Sequence, residues 1–510
     1  MRPVRVLGTT MAVALALALA GCKAVGPDFL RPTANLPQAW PTDQTKPGKP
    51  PKSVPADTEA DPNWWTLFND PVLTALEQRV AKGNLDLQAA ALRLSESRAE
   101  LGVAQAAQMP TSHANAAYTR QKASNTGQFA LAPDALGANG ASGSTAGGLG
   151  SRHLNAFDVF QVGFDMSWEL DLWGRVRRNI ESASALLEAT QEARRGLLLT
   201  TLAEVARDYI ELRGVQTQLH IARDNVKTAQ QSLSLTQQRA AGGVTTDLDV
   251  ANATAQLRNT TAQIPHLEQQ EAAGINALSL LLGEPPNALR AELETAKPVP
   301  PVPPKVPVGV PSDLARRRPD IRQAEARLHA ATADIGVAVA DFYPSIKIGG
   351  SIGLQSQQFV RMFDLNSRLL AGGPGLSVPL FDGGRLRETL NFRKAAQQEA
   401  AIAYDKTVLT AWHEVDNAMT AYAAEQARRD QLLLAEAANR HALGLAQSRY
   451  QQGVADFLAV LDAQRNLLAT QLLLADSTTT ISANLVALYK ALGGGWEPEL
   501  PLDDEKTAGR

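Results

Sequence analysis

Two hydrophobic periods share this chain and exchange at definite places. From Phe160 to Asp171 the period is two: Phe160, Val162, Phe164, Met166, Trp168 and Leu170 alternate with Gln161, Gly163, Asp165, Ser167, Glu169 and Asp171. Such alternation describes a strand with one apolar and one polar face. Ile346, Ile348, Gly350, Ile352 and Leu354 repeat the device against Lys347, Gly349, Ser351, Gly353 and Gln355. Weaker partner strands are expected near Ser112–Arg120 and Leu369–Leu380, the latter interrupted by Pro374 and Pro379. Elsewhere the period is helical. Leu73, Leu76, Val80, Leu85, Leu92 and Leu101 mark a stripe along Pro71–Gln108, with a break at Gly83-Asn84 and a stop at Pro110. Gly174–Ala241 and Gly384–Gln452 contain no proline, and each predicts a helix about 100 Å long at 1.5 Å per residue. Turns follow at Gly242-Gly243 and Gly453. Second helices are then expected over Thr246–Leu282, kinked at Pro265, and over Asp456–Leu492.

The periods recur because the chain contains itself twice. A shift of 234 lays Asp86–Pro110 over Asp320–Pro344 with 10 of 25 positions identical, among them Gly102-Val103-Ala104 and Gly336-Val337-Ala338. From Ser167/Ser377 to Gly283/Gly493 the shift is 210, with 28 identities in 117 positions, including Arg239/Arg449 and Gly243-Val244/Gly453-Val454. The difference of 24 falls between Pro110 and Ser167, in a loop rich in Gly, Ala and Ser. Each half, 63–283 and 312–496, reads helix, strand, loop, strand, very long helix, tight turn, helix. The proline-rich segment 284–311 between them predicts an extended, semi-rigid linker without chemistry. Residues 22–62 have the same character, and 497–510 form a tail.

Residues 1–21 are expected to be removed: Arg2 and Arg5 precede the apolar Met11–Ala20. Leu19-Ala20-Gly21-Cys22 resembles a bacterial lipobox, in which Cys22 becomes the acylated first residue. Cys22 is the only cysteine, so neither a disulfide nor a thiolate metal cage is available. The remaining chain carries 47 basic and 52 acidic residues, a net charge of −5, and no basic stripe points to nucleic acid. None of the seven histidines has metal-ligand spacing, and no phosphate loop, GxSxG or dinucleotide fingerprint occurs. No enzyme, metal or cofactor is expected. Beyond the signal no apolar run is long enough for a helical membrane span. The alternating segments fit either a soluble sheet with its apolar face on a core or barrel strands in lipid. In lipid, arginine at Phe164 or Val162 should be costly and arginine at Gly163 far milder. Four strands cannot close a barrel, and open edges in lipid leave backbone groups unpaired. Two chains would give eight strands, whose interior side chains can fill, and three would give twelve with room for a lumen.

The hairpin ends carry the remaining candidates. Asp462 and Arg465 stand three apart, one turn after Leu458. Spacing alone reads them as a surface ion pair worth about 0.2–0.5 kcal/mol and a core leucine. Gly243-Val244 and Gly453-Val454 read as left-handed glycines that close helices.

Several motifs carry a resemblance: Cys22 with Val25-Gly26-Pro27-Asp28-Phe29, Trp64-Trp65-Thr66-Leu67-Phe68-Asn69-Asp70-Pro71, Arg317-Arg318-Pro319-Asp320-Ile321 and Phe342-Tyr343-Pro344. Pro379–Gly384, Arg449–Val454, Leu461–Arg465 and Tyr489–Trp496 continue it. In order and spacing these resemble the TolC-like outer-membrane factors, in their NodT/OprM-type lipoprotein branch. The resemblance implies a mainly α protein with a transmembrane β-barrel part. Three chains would form a twelve-stranded barrel continuing into a periplasmic α-helical barrel. Its partners would be a periplasmic adaptor and an inner-membrane pump of RND type, with small molecules leaving passively through the outer membrane. It also implies that Leu458, Asp462, Arg465 and Asp249 stand at a periplasmic gate, and that Gly243, Val244, Gly453 and Val454 meet the adaptor. The alternatives are a type I protein-secretion duct, which would use the same fold, and a lipid-anchored coiled-coil scaffold without a pore.

Overall fold

A computed structural model describes residues 23–33, 54–56, 63–122, 156–308 and 317–495. The signal segment with Cys22, most of 34–62, the Gly/Ala/Ser-rich loop, residues 309–316 and the tail from Trp496 lie outside the described residues. In chain order the elements begin with β1 (Val54–Ala56), α1 (Pro71–Gly83), α2 (Leu85–Ala106), β2 (Thr111–Gln121) and β3 (Phe157–Leu170). There follow α3 (Arg175–Ala241), α4 (Asp247–Thr261), α5 (Gln263–Leu281), the single turn α6 (Arg290–Leu293) and β4 (Lys305–Pro307). The second half supplies α7 (Pro319–Ala340), β5 (Ser345–Ser356), β6 (Arg368–Ser377), α8 (Arg385–Gln451) and α9 (Phe457–Leu492). Both long helices therefore form, as the absence of proline predicts. The break between α4 and α5 falls at Ala262, three residues before Pro265, whose ring lacks the N–H that the preceding turn needs. With Ala475 at the equivalent position, α9 runs unbroken.

The chain divides into two compact units, each drawn from both sequence halves. One comprises Met1–Phe29, Ala99–Ser184 and Ala330–Gln397. It holds an antiparallel sheet of order β2-β3-β5-β6. The central pairing joins the halves: Phe164 lies opposite Ile352 and Gly163 opposite Gly353. Register carries the apolar face across all four strands, through Ala114, Phe164, Ile352 and Leu370. Phe164 is 62% exposed and Leu370 81% exposed, so no core among the described residues covers that face. The reverse face carries Asn115, Asp165, Ser351 and Ala371.

Gly163 departs from expectation. A Cβ there would lie 2.7 Å from the Ile352 carbonyl oxygen and 2.9 Å from Gly353 Cα. The two glycines let β3 and β5 approach closely, so arginine at Gly163 would force the strands apart although the position is on the polar face.

The same unit ties down the N-terminal segment. Val25 N–H donates to the Trp173 carbonyl at 3.0 Å. The buried Arg178 donates from Nη2 to Asp28 at 2.6 Å, from Nη1 to Glu181 at 2.8 Å and from Nε to the Val25 carbonyl at 3.2 Å. Hydrogen bonds from Lys23, then Arg178, hold the Asp28 carboxyl below its ordinary range. Gly26 has φ +93°, and a Cβ on it would meet Gly336 Cα at 2.5 Å. These described residues are thus bonded into the fold, within the extended N-terminal segment expected for 22–62.

The other unit comprises Leu30–Arg98, Ala185–His329 and Gln398–Arg510. Trp64 is fully buried and stacks on Tyr489 at 5.6 Å between centroids. Asp70 caps α1 by accepting from Val72 N–H and Leu73 N–H, and its other oxygen accepts from Tyr209 Oη at 2.7 Å. The segment from 284 corrects the linker expectation. It holds α6 and β4, and it buries Leu289, Leu293, Val306 and Val308. The fully buried Arg213 donates from Nη1 to the carbonyls of Leu293 (3.2 Å) and Thr295 (2.9 Å), and Ser482 Oγ donates to the Pro300 carbonyl at 2.9 Å. Proline density reports a segment without its own hydrogen-bond ladder. It does not report that neighbouring helices supply one.

Candidate functional site

The two hairpin ends are built alike. The α3 helix closes with Gly243 at φ +71°, its N–H donating to the Ala240 carbonyl while Val244 N–H reaches back to Arg239 at 2.8 Å. The α8 helix closes the same way through Gly453 at φ +74°, with bonds from Gly453 N–H to Tyr450 and from Val454 N–H to Arg449. Both are Schellman closures, which favour glycine because the left-handed region costs a residue with Cβ about 1–2 kcal/mol. Beyond each closure a polar residue caps the returning helix: Thr246 for α4 and Asp456 for α9. Val244 and Val454 are each 64% exposed.

One arginine joins the two ends. Arg239 donates from Nη1 to the Gln451 carbonyl at 3.1 Å, and its guanidinium lies 4.6 Å over the Tyr450 ring. Tyr450 in turn meets Phe457 edge-on at 5.6 Å. Phe457, Val460, Leu461 and Leu467 then form one buried face of α9 with Leu443 and Ala253. This junction was not singled out from sequence as a site, although the identity of Arg239 and Arg449 in the two copies marks it.

The opposite face of α9 carries the predicted gate residues. Leu458 is 54% exposed, and Asp462, one turn on, is exposed too, so Leu458 is no core leucine in this chain. The expected Asp462–Arg465 ion pair is absent among the described residues. Arg465 instead donates from Nε to Gln256 Oε1 of α4 at 3.0 Å, crossing between hairpins. Gln464 Nε2 bridges likewise to Ser232 Oγ. Asp249 acts locally. Its carboxylate accepts from Thr245 Oγ1, Thr246 Oγ1 and Thr246 N–H, completing a capping box at the start of α4. The structure therefore brings Leu458 and Asp462 onto one exposed stripe, sends Arg465 across to Gln256, and engages Asp249 in its own helix terminus.

The outer membrane efflux protein family model matches residues 76–284 and 310–494. The chain belongs to this family. Among its relatives, the toluene efflux pump outer membrane protein TtgF of Pseudomonas putida is 33% identical over 494 residues, spanning 96% of this chain and 97% of the relative. Outer membrane protein OprJ of Pseudomonas aeruginosa is 32% identical over 489 residues, with 95% of each chain covered. The solved outer-membrane channel OprN superposes with a TM-score of 0.81 at 33% identity, covering 93% of this chain and all of that one. The open-state MtrE outer membrane channel of Neisseria gonorrhoeae gives 0.75 at 28% identity, over 93% and 99%. This outer membrane efflux protein is thus mainly α-helical with a four-stranded antiparallel part, and it resides in the outer membrane. Its sheet has one apolar face, and Asn115, Asp165 and Ser351 lie on the other face of the same strands. No described helix is long and apolar enough to cross a membrane.

Proposed function

We propose that three copies of this chain form a passive exit duct, which a periplasmic adaptor and an inner-membrane pump of RND type supply with small molecules. The observation that carries it is the uncovered sheet: four strands, one apolar face, and two free edges at β2 and β6. Edges left open in lipid cost several kcal/mol per unpaired group, and three chains remove them by sharing twelve strands around a lumen. Acylation of Cys22 adds a second hold on the membrane, after removal of residues 1–21. The two repeats, 63–283 and 312–496, contribute equivalent hairpins to the periplasmic mouth.

Leu458, Asp462 and Arg465 constrict that mouth, with Asp249 supporting it from α4. The exposure of Leu458 and Asp462 in a single chain supports this role, because a threefold arrangement would bring those stripes together. A ring of acids attracts cations and holds facing helices through hydrogen bonds and ion pairs. Gly243, Val244, Gly453 and Val454 receive the adaptor: each closure offers an exposed valine on a rigid turn. Adaptor binding opens the duct by contacting the open arrangement better than the closed one. The covalent lipid is the only non-protein group required.

Reconstitution in planar bilayers tests the function. A duct should give discrete ion-conducting steps, and deletion of the gene should make cells more sensitive to small exported compounds. A folded, inserted protein without conductance under any condition would favour the scaffold reading. Export of a protein substrate would favour the secretion duct.

A further inference from the structure

We propose that the loop end of the sheet is a docking surface for the phosphorylated glycolipid of the outer leaflet, gripped by aromatic rings and two arginines. The inference rests on the barrel reading and adds a lipid ligand to it. The sheet has two unlike ends. At one, Thr111 pairs with Ser167 and Ser345 with Ser377, next to the helices and the bonded Lys23–Asp28 segment that follows the acylation position. At the other, Tyr118 lies opposite Phe160 and Leu354 opposite Arg368. An inner-leaflet lipid on Cys22 leaves this second end facing the outer leaflet.

The lipid face ends there in rings. Tyr118 meets Phe160 at 4.9 Å, Phe160 meets Phe359 at 5.6 Å, and Phe359 meets Phe363 at 6.3 Å. The last two rings belong to the connection between β5 and β6, which is folded as two short 3-10 turns around the buried Met362. Ser367 Oγ closes it by donating to the Arg361 carbonyl at 2.7 Å. This ordered loop nevertheless exposes Phe359, Val360 (89%), Phe363 and Leu365. Such residues, continuous with a lipid face, suit the boundary between hydrocarbon and headgroups.

Charge selects the lipid. Arg120 and Arg368 stand at the rim of the apolar face, and Arg361 lies in the loop. Asp158 neutralises Arg120 at 3.7 Å and accepts from Tyr118 Oη at 3.0 Å. Among the described residues Arg361 and Arg368 have no ion pair, although Asp364 is nearby in the loop. An arginine fork beside aromatic rings matches a phosphate at headgroup depth. A zwitterionic phospholipid brings its own ammonium to that phosphate. A phosphorylated glycolipid does not, and therefore gains more from the collar.

The test uses the full chain in nanodiscs of phosphatidylcholine, titrated with bis-phosphorylated lipid A and followed by native mass spectrometry. Retention of lipid A should fall about tenfold or more when its phosphates are removed, and equally in the R361Q/R368Q variant. Equal retention of phosphorylated and dephosphorylated lipid, or unchanged retention by the double variant, would overturn the collar. The same spectra report insertion and assembly mass. A chain that fails to insert or assemble overturns the barrel reading instead.

Discussion

Glu77 is the most exceptional single residue outside the membrane part. It lies on the buried face of α1 with Leu73, Leu76 and Val80, and among the described residues neither carboxyl oxygen has a hydrogen-bond partner. Burial pushes its pKa well above the ordinary carboxylate range, so between the unfolded and folded pKa the folded chain keeps a proton that the unfolded chain has lost. Its contribution to stability is therefore intact below about pH 4.5 and declines as pH rises toward the folded pKa. Glu77→Gln should flatten that decline, and melting temperatures of both proteins at pH 5 and pH 8 would check it. At the mouth, replacing Asp462 and Arg465 together by Ala removes the acid from the exposed stripe and the bond to Gln256. Single-channel conductance should rise in the double variant. An unchanged value in a folded assembly would move the constriction elsewhere. Spacing exposed Asp462 and Arg465 as candidates, yet it paired them with each other. A helix period reports which residues share a face, whereas the partner of Arg465 comes from another hairpin. Asp249 entered as a gate residue through the family resemblance, and in this chain its carboxylate also meets Thr246, three residues earlier, in a capping box.

At the scale of elements, the sequence carried most of the fold. Alternation located β3 and β5 because every second residue of each falls on one apolar face. Freedom from proline located α3 and α8, and Pro265 located the break before α5. Pairing order was not legible: the junction of β3 with β5 joins two halves whose own strands looked like natural partners. The mutual need of Gly163 and Gly353 was hidden for the same reason. Substitutions on the two faces of β3 test the lipid assignment. Phe164→Arg should cost about 2–4 kcal/mol near the membrane midplane, read as lost assembly in urea titrations in lipid. Gln161→Arg, on the other face and free of the glycine contact, should cost much less. Equal costs would contradict a lipid-facing Phe164. The proline-rich connection makes a further point about elements. Arg213 holds it through backbone carbonyls, so Arg213→Met should loosen 289–295 and raise its amide exchange while leaving the sheet protected.

For the whole molecule, edges decide the architecture. Strands β2 and β6 end the sheet of one chain, and a shared barrel requires β2 of each copy to pair with β6 of the next. Family membership and the matching channels fit a duct, but the seam is where this chain itself must answer. The natural chain has one cysteine, Cys22, so engineered pairs are readily interpreted in a Cys22→Ser background. The most direct measurement places one cysteine at Ala116 of β2 and a second, in turn, at Leu370, Gly372 or Pro374 of β6, on the same sheet face. After oxidation in native membranes, one of these pairs should yield a covalent trimer on denaturing gels, while each single substitution should not. If every pair stays monomeric in protein that is folded and membrane-inserted, the shared twelve-stranded barrel is contradicted.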